Sequence, residues 1–352
     1  MENPTREVYY KSYLALDEIL NAQHRESEKA GRPADDEMLF IIIHQTYELW
    51  FKQILFELRI VQKIFANQQI NDNAPDMQIA VHRLKRIAAI LQVLVQQINI
   101  LETMTPLDFL DFRDLLRPAS GFQSYQFKMI EAIMGLKFEQ RHELNYYVSH
   151  LHKEDLEEVK SVEQEKTLLE LVNHWLERMP FFEEARFWEN HKSIAKGSAD
   201  QHIFWSDYRM MYDQSLSAVE KNNLELFDEL FFHPDNPQGR TLSARARRSA
   251  LFIMLYRDYP LMQLPFQLMN TLLDIDELMS VWRYRHLNMV RRMIGSRIGT
   301  GGSTGKDYLQ GALEKHYIFK EFADLTSFLI ERRKLPELSP ELKQAMGYSF
   351  GK

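Results

Sequence analysis

The chain predicts an all-α fold: a bundle of long helices over 1–352, with a smaller helical excursion within it at about 181–240. Three observations carry that expectation. Apolar residues recur three and four apart almost throughout, the spacing that gives a helix one buried face. The two-residue alternation of a half-buried strand is nearly absent. The breaks are single Pro, Gly and Asn clusters, without low-complexity linkers or internal repeats, so the helices group into one domain.

In order, residues 7–29 predict a first helix carrying Tyr10, Tyr13, Leu14, Ile19 and Leu20, ended by Gly31 and Pro33. Asp35 or Asp36 can cap a long second helix reaching about Phe65. The Asn71–Pro75 stretch breaks the chain, and a third long helix follows from about Met77 to Thr103. Thr105-Pro106-Leu107-Asp108 has the form of a helix start, with a hydroxyl cap, proline at the first helical position and an acid three residues after the cap. That short helix reaches Leu116, before the turn Pro118–Gly121. Helices are expected at about 122–135, 138–150 and 155–178, the last stopped by Pro180. Within 181–240 the pattern weakens to one helix at 198–221 and a loop at His233–Gly239. Two long helices, 242–258 and 264–294, flank Pro260. The last helical stretch is 306–331, and a loosely ordered tail follows from Pro336.

Composition narrows the chemistry. A net charge of −7 lacks the basic surplus of a nucleic-acid binder. Zero cysteines exclude disulfides, thiolate metal ligands, iron–sulfur clusters and covalent haem attachment. The opening MENPTREVYYK has charges and a proline where a signal peptide needs an apolar run. No stretch approaches about 18 uncharged apolar residues, so no membrane span is expected and the location is expected to be cytoplasmic.

Three stretches hold residue types suited to a ligand site. In Phe40-Ile-Ile-Ile-His44-Gln-Thr-Tyr47, His44 shares a helix face with Phe40, Ile41, Tyr47 and Phe51. In Val281–Lys306, Trp282, Met289, Val290 and Met293 fall within about 60° of His286, while Arg285, Arg291 and Arg292 point away. A polar, glycine-rich segment, Gly299–Gly305, follows. Each histidine taken alone also reads as a core residue bonded to a carbonyl. In Asp108–Ser124, Phe109, Arg113 and Leu116 share one face. Arg113 could pair with Asp108, Asp111 or Glu102, or present its fork to a carboxylate ligand. Glu48, one turn from His44, could be a ligand partner or a hydrogen-bonded acid. Thr300–Lys306 lacks the residues and the preceding strand of a phosphate loop. Glu139-x-x-His142 is the chain's single E-x-x-H, where a di-iron bundle needs two.

Together, FIIIHQTYELWFKQILFEL, LETMTPLDFLDFRDLLRPASGFQSYQF and DIDELMSVWRYRHLNMVRRMIGSRIGTGGSTGKDYL closely resemble the tryptophan 2,3-dioxygenase family. The likeness extends through VYYKSYLALDEIL and EQEKTLLELVNHWLERMP and is weakest over about 181–240. It implies an all-helical, homotetrameric enzyme whose bundle encloses a haem b pocket. Such an enzyme inserts both atoms of O2 across the indole C2–C3 bond of L-tryptophan to give N-formyl-L-kynurenine, the first step of tryptophan catabolism by the kynurenine pathway. The resemblance makes His286 the axial ligand of the haem iron and His44 the partner of the indole N–H. It assigns Arg113 to the substrate carboxylate and Thr300 to the ammonium and carboxylate groups. Phe40, Phe109 and Leu116 become walls around the indole, Ser120 lies near the haem edge, and Tyr10 and Tyr13 reach a neighbouring subunit's pocket. The alternatives are a haem dioxygenase of another indole or aryl amino acid, and a tryptophan-responsive haem sensor without turnover. A neutral imidazole suits ferrous haem, and an acceptor is expected to orient its other ring nitrogen.

Overall fold

A computed structural model describes residues 7–67, 75–137, 153–195, 202–233, 239–295, 297 and 316–347. Among these residues the regular structure is helical and no strand occurs. The frame is three long helices: α4 (Asp36–Ala66), α5 (Pro75–Leu101) and α13 (Pro260–Ile294), with α5 packed between the other two. Their seams are the apolar stripes visible in the sequence. Ile54, Leu58 and Val61 of α4, Leu84 and Ile87 of α5, and Leu268, Leu272 and Ile275 of α13 are essentially solvent-free. Length and composition alone would let α5 cross a bilayer; its buried apolar residues line the seam with α4 and α13, while Ile79, Val93 and Ile100 are exposed.

One buried carboxylate ties the frame together. Glu57 of α4 accepts hydrogen bonds from Arg83 (2.7 Å) and Arg86 (2.8 Å) of α5 and from Gln53 (2.7 Å). Burial pushes its carboxyl up, but the bonds from Arg86, Arg83 and Gln53 outweigh burial and hold it below the usual carboxylate range.

Shorter helices clothe this frame. Among them are α6 (Pro106–Arg113), α7 (Tyr125–Met134), α8 (Lys153–Glu163), α9 (Leu168–Glu177), α10 (Ile203–Ser215), α11 (Asn222–Phe232) and α12 (Ala244–Leu255). Thr105 caps α6 as its sequence requires, accepting the Asp108 N–H while the Asp108 carboxylate takes the Thr105 N–H. Gly135 ends α7 at φ +142°, and a Cβ there would stand 3.1 Å from both Ile318 and Leu169. Only glycine fits that close approach. Helices α10, α11 and α12 extend the core with an aromatic cluster around Phe204, Trp205, Phe227, Phe231 and Phe252. Asp207 orders the irregular chain before α10 by accepting bonds from His191 Nε2, Ser193 Oγ and the Ala195 N–H, each at 2.8 Å.

Several boundaries differ from the sequence expectation. Residues 7–29 form three four-residue helices, α1 (Tyr10–Tyr13), α2 (Leu16–Ile19) and α3 (Glu26–Lys29), because α1 and α2 bury no residue that would hold a longer helix. The expected helix at 155–178 divides at Thr167, whose capping box with Glu170 starts α9 afresh. The expected 198–221 helix is α10, and α11 follows separately. After α14 (Lys320–Asp324), the tail from Pro336 is ordered. It carries α15 (Pro340–Ala345), with Leu338, Leu342 and Met346 buried. The expected helix at 138–150 lies outside the described residues.

Candidate active site

Helix α6 touches the frame at one end, against both α4 and α13. The sequence-predicted residues gather there. His44 lies two turns into α4, and its Nδ1–H donates to the Phe40 carbonyl oxygen at 2.7 Å. A carbonyl can only accept, so the proton sits on Nδ1 and the neutral ring presents Nε2 as an acceptor. Burial lowers the His44 pKa, against the smaller opposing effects of the Phe40 carbonyl and Glu48, so the ring is neutral at pH 7. The Phe40 ring stands 4.1 Å from the imidazole and 5.7 Å from the rings of both Phe109 and Phe112. Phe112, fully buried, stands beside Phe40 and Phe109, two of the three residues that the family resemblance makes walls around the indole. Leu116 follows in a 3-10 turn, packed against the core.

His286 sits two turns before the end of α13, near enough to His44 to feel its charge. Its imidazole stacks on Trp282, centroids 5.1 Å apart and planes 3° from parallel. Trp282 is boxed by Tyr47 (6.1 Å) and Phe127 (5.0 Å). Nδ1 of His286 is shielded from solvent and has no hydrogen-bond partner among the described residues. The expected acceptor for this nitrogen is therefore not found there; stacking sets the ring plane. Burial, and secondarily the nearby His44, lower its pKa to about 4, so it is a neutral donor at physiological pH. Gly295 terminates α13 at φ +59°.

Arg113 ends α6 and is 7% exposed. Of the acids near it in sequence, Glu102 pairs with Arg285 at 3.0 Å and Asp108 caps α6. Burial, then Arg117 and Arg297, push its pKa down, which places three guanidinium groups in one neighbourhood. Such a cluster favours an anion. Glu48 is a hydrogen-bonded acid, its Oε2 accepting from Gln126 at 2.8 Å.

The remaining assignments fall elsewhere. Ser120 caps the turn Gly121–Gln123, accepting the Phe122 N–H at 3.3 Å. Tyr10 and Tyr13 are each 75% exposed on α1 and do not reach this chain's own site. Thr300, with Gly299–Gly305, lies outside the described residues, as do Glu139 and His142. Sequence reasoning missed Phe112 and Phe127, which carry no local signal beyond being aromatic. Trp282 was legible only as a neighbour on the histidine face.

Comparison with known proteins then places the chain. A profile described as tryptophan 2,3-dioxygenase matches residues 2–329. The chain belongs to the tryptophan 2,3-dioxygenase family. A tryptophan 2,3-dioxygenase of Bdellovibrio bacteriovorus is 44% identical over 357 residues, covering 97% of this chain and 99% of the relative. That of Dictyostelium discoideum is 43% identical, covering 97% and 89%. That of Xenopus tropicalis is 43% identical, covering 95% and 85%. As an enzyme of the tryptophan 2,3-dioxygenase family, the chain joins two neutral histidines and a buried arginine at one end of its helical frame.

Proposed function

We propose that the chain cleaves the indole C2–C3 bond of L-tryptophan with O2, giving N-formyl-L-kynurenine, with haem b held by His286. The observation that carries this reading is His286 itself: half-buried, neutral and stacked, near a second neutral histidine whose Nδ1 proton is already committed. The residues suit the group, since a neutral imidazole would hold haem iron and the chain has no cysteine to compete as a thiolate. When bound, haem supplies the activation of O2.

The chain's own residues recognise the amino acid in parts. His44 Nε2 accepts the indole N–H, a role open to it because Nδ1 donates to Phe40. Phe40, Phe109 and Leu116 cover the indole faces and exclude water. Arg113 offers its fork to the carboxylate, and Thr300 is assigned to the ammonium and carboxylate groups by family resemblance. Fixing the substrate at both its indole and its amino-acid end converts an encounter into an oriented, effectively unimolecular reaction. Both oxygen atoms enter the product, so the turnover needs no external reductant.

The same reading makes the enzyme a homotetramer in which the N-terminal segment completes a neighbour's pocket. Its support is that Val8, Tyr9, Tyr10, Tyr13 and Leu20 are all two-thirds or more exposed on a single chain. Apolar side chains so displayed await a partner surface. The test is an absorption spectrum of the haem-loaded, reduced protein with and without L-tryptophan, followed by product detection. A haem-loaded protein that leaves tryptophan unchanged would remove the substrate assignment. Activity that survives Tyr10→Ser/Tyr13→Ser unchanged would remove the N-terminal role.

A further inference from the structure

The α13 face that carries Trp282 and His286 is gripped by a second set of contacts one residue away. Arg283 donates from Nη2 to Glu131 Oε1 of α7 at 2.7 Å and from Nη1 to the His316 carbonyl oxygen at 3.3 Å. The His316 ring meets the same carboxylate oxygen, Nδ1 to Oε1 3.3 Å. Two turns earlier on the same side of α13, Asp276 accepts the backbone N–H groups of Ile318 (3.2 Å) and Phe319 (2.5 Å). Arg283, Glu131, His316 and Asp276 are each no more than 3% exposed. Phe127, one turn before Glu131 on α7, sets its ring 5.0 Å from Trp282 and 6.0 Å from the Arg283 guanidinium. The backbones of α7 and α13 approach each other little. The two helices are coupled through these side chains.

We propose that Glu131 is a positioning residue for the reaction: its buried pairing with Arg283 and His316 fixes the rotation of α13 about its axis, and hence where α13 presents the stacked Trp282–His286 pair to the site. The proposal rests on His286 as the haem ligand. A side-chain tip lies about 6 Å from its helix axis, so a rotation of about 10° displaces it by about 1 Å. A misplacement of that size is enough to slow a well-oriented reaction on the order of 100-fold. Apolar packing between α7 and α13 is non-directional and tolerates such a rotation. A carboxylate engaging Arg283 and the His316 ring, with that same Arg283 bonded to the His316 carbonyl, does not. Buried ion pairs add little net stability over apolar pairs of like volume. That is why a directional role can be separated from a stabilising one.

The separating variant is the double substitution Glu131→Leu/Arg283→Met, which keeps volume and removes direction. Alongside it, Arg283→Lys keeps the charge but loses the fork. In haem-loaded protein, four readouts are compared with the unaltered chain: melting temperature, haem dissociation rate, the iron–histidine stretching band of the reduced form, and kcat with KM for tryptophan. The double variant is expected to melt near the unaltered chain. Its haem dissociation should accelerate on the order of 10- to 100-fold, as for lost partners around a metal ligand. Its iron–histidine band should shift or broaden, and kcat should fall while KM changes little. If the double variant fails to fold, Arg283→Lys is expected to show the same changes. Haem dissociation and an iron–histidine band matching the unaltered chain, in whichever of these variants folds, would overturn the positioning role alone. An unaltered chain that takes up no haem would overturn the reading of His286 and this role with it.

Discussion

Replacing His286 with leucine in the haem-free chain should make the protein more stable, although it removes the proposed ligand. The buried Nδ1 has no partner among the described residues, and an unsatisfied buried polar atom costs about 1–3 kcal/mol. Leucine fills a similar volume without that atom. It forfeits the stack on Trp282, worth about 0.5–1.5 kcal/mol. The net gain at pH 7 is about 1 kcal/mol. Acid widens it. Folding holds the imidazole at about 4 against an ordinary 6.5, so below pH 6.5 the unfolded chain binds a proton that the folded chain refuses. Histidine-containing protein therefore loses stability as pH falls from 6.5 towards 4, and by pH 5 the leucine variant should gain roughly 2 kcal/mol more. Urea unfolding of both haem-free proteins at pH 7 and pH 5 measures the difference. A leucine variant that is less stable at both pH values would refute the reasoning, because a histidine satisfied within the core loses contacts on substitution.

Three further outcomes are expected. Arg113→Ala should weaken tryptophan binding by about 2–5 kcal/mol in an equilibrium titration while leaving the affinity for an indole without a carboxylate unchanged; equal losses for both ligands would contradict the carboxylate role. Glu57→Leu should cost about 1–2 kcal/mol of stability in urea, since Arg83 and Arg86 lose a buried acceptor but keep access to solvent; a change under about 0.5 kcal/mol would show that the α4–α5 seam does not need the pair. Burial raises the Asp276 pKa to about 6, against the bonds it accepts from Phe319 and Ile318. Its stabilising contribution is thus complete below the unfolded value near 3.8 and lost as pH rises through 6. Relative to the unaltered chain, Asp276→Asn should gain roughly 2.5 kcal/mol between pH 4 and pH 8, and a pH-independent difference would count against that shift.

The long helices were legible because each buries a continuous apolar stripe, and the capping sequence at Thr105 fixed one start to the residue. What the periodicity overran were breaks set by local bonding, such as the Thr167–Glu170 box that divides 155–178. Also missed were α11 and α15, whose apolar residues are held by the aromatic core and by contacts distant in sequence. The site was legible in part. The faces of His44 and His286 follow from helical geometry, but their roles came only from family resemblance. The stack of Trp282 on His286 is a local i, i+4 pair. The pairing of Glu131 with Arg283 joins residues 152 positions apart, and no pattern around either residue announces it.

The most extensive helix–helix contact in the frame joins α5 to α13, and that has a consequence for how the protein is made. At about 5–20 residues per second, a ribosome needs on the order of 10–40 s to travel from the end of α5 to the end of α13. Throughout that interval α5, apolar enough to pass for a membrane segment, has chiefly α4 to lie against among the described helices. Synthesis in a cell-free system should therefore leave nascent chains arrested before residue 260 dependent on added chaperone for solubility. Chains released after α13 has emerged should lose that dependence.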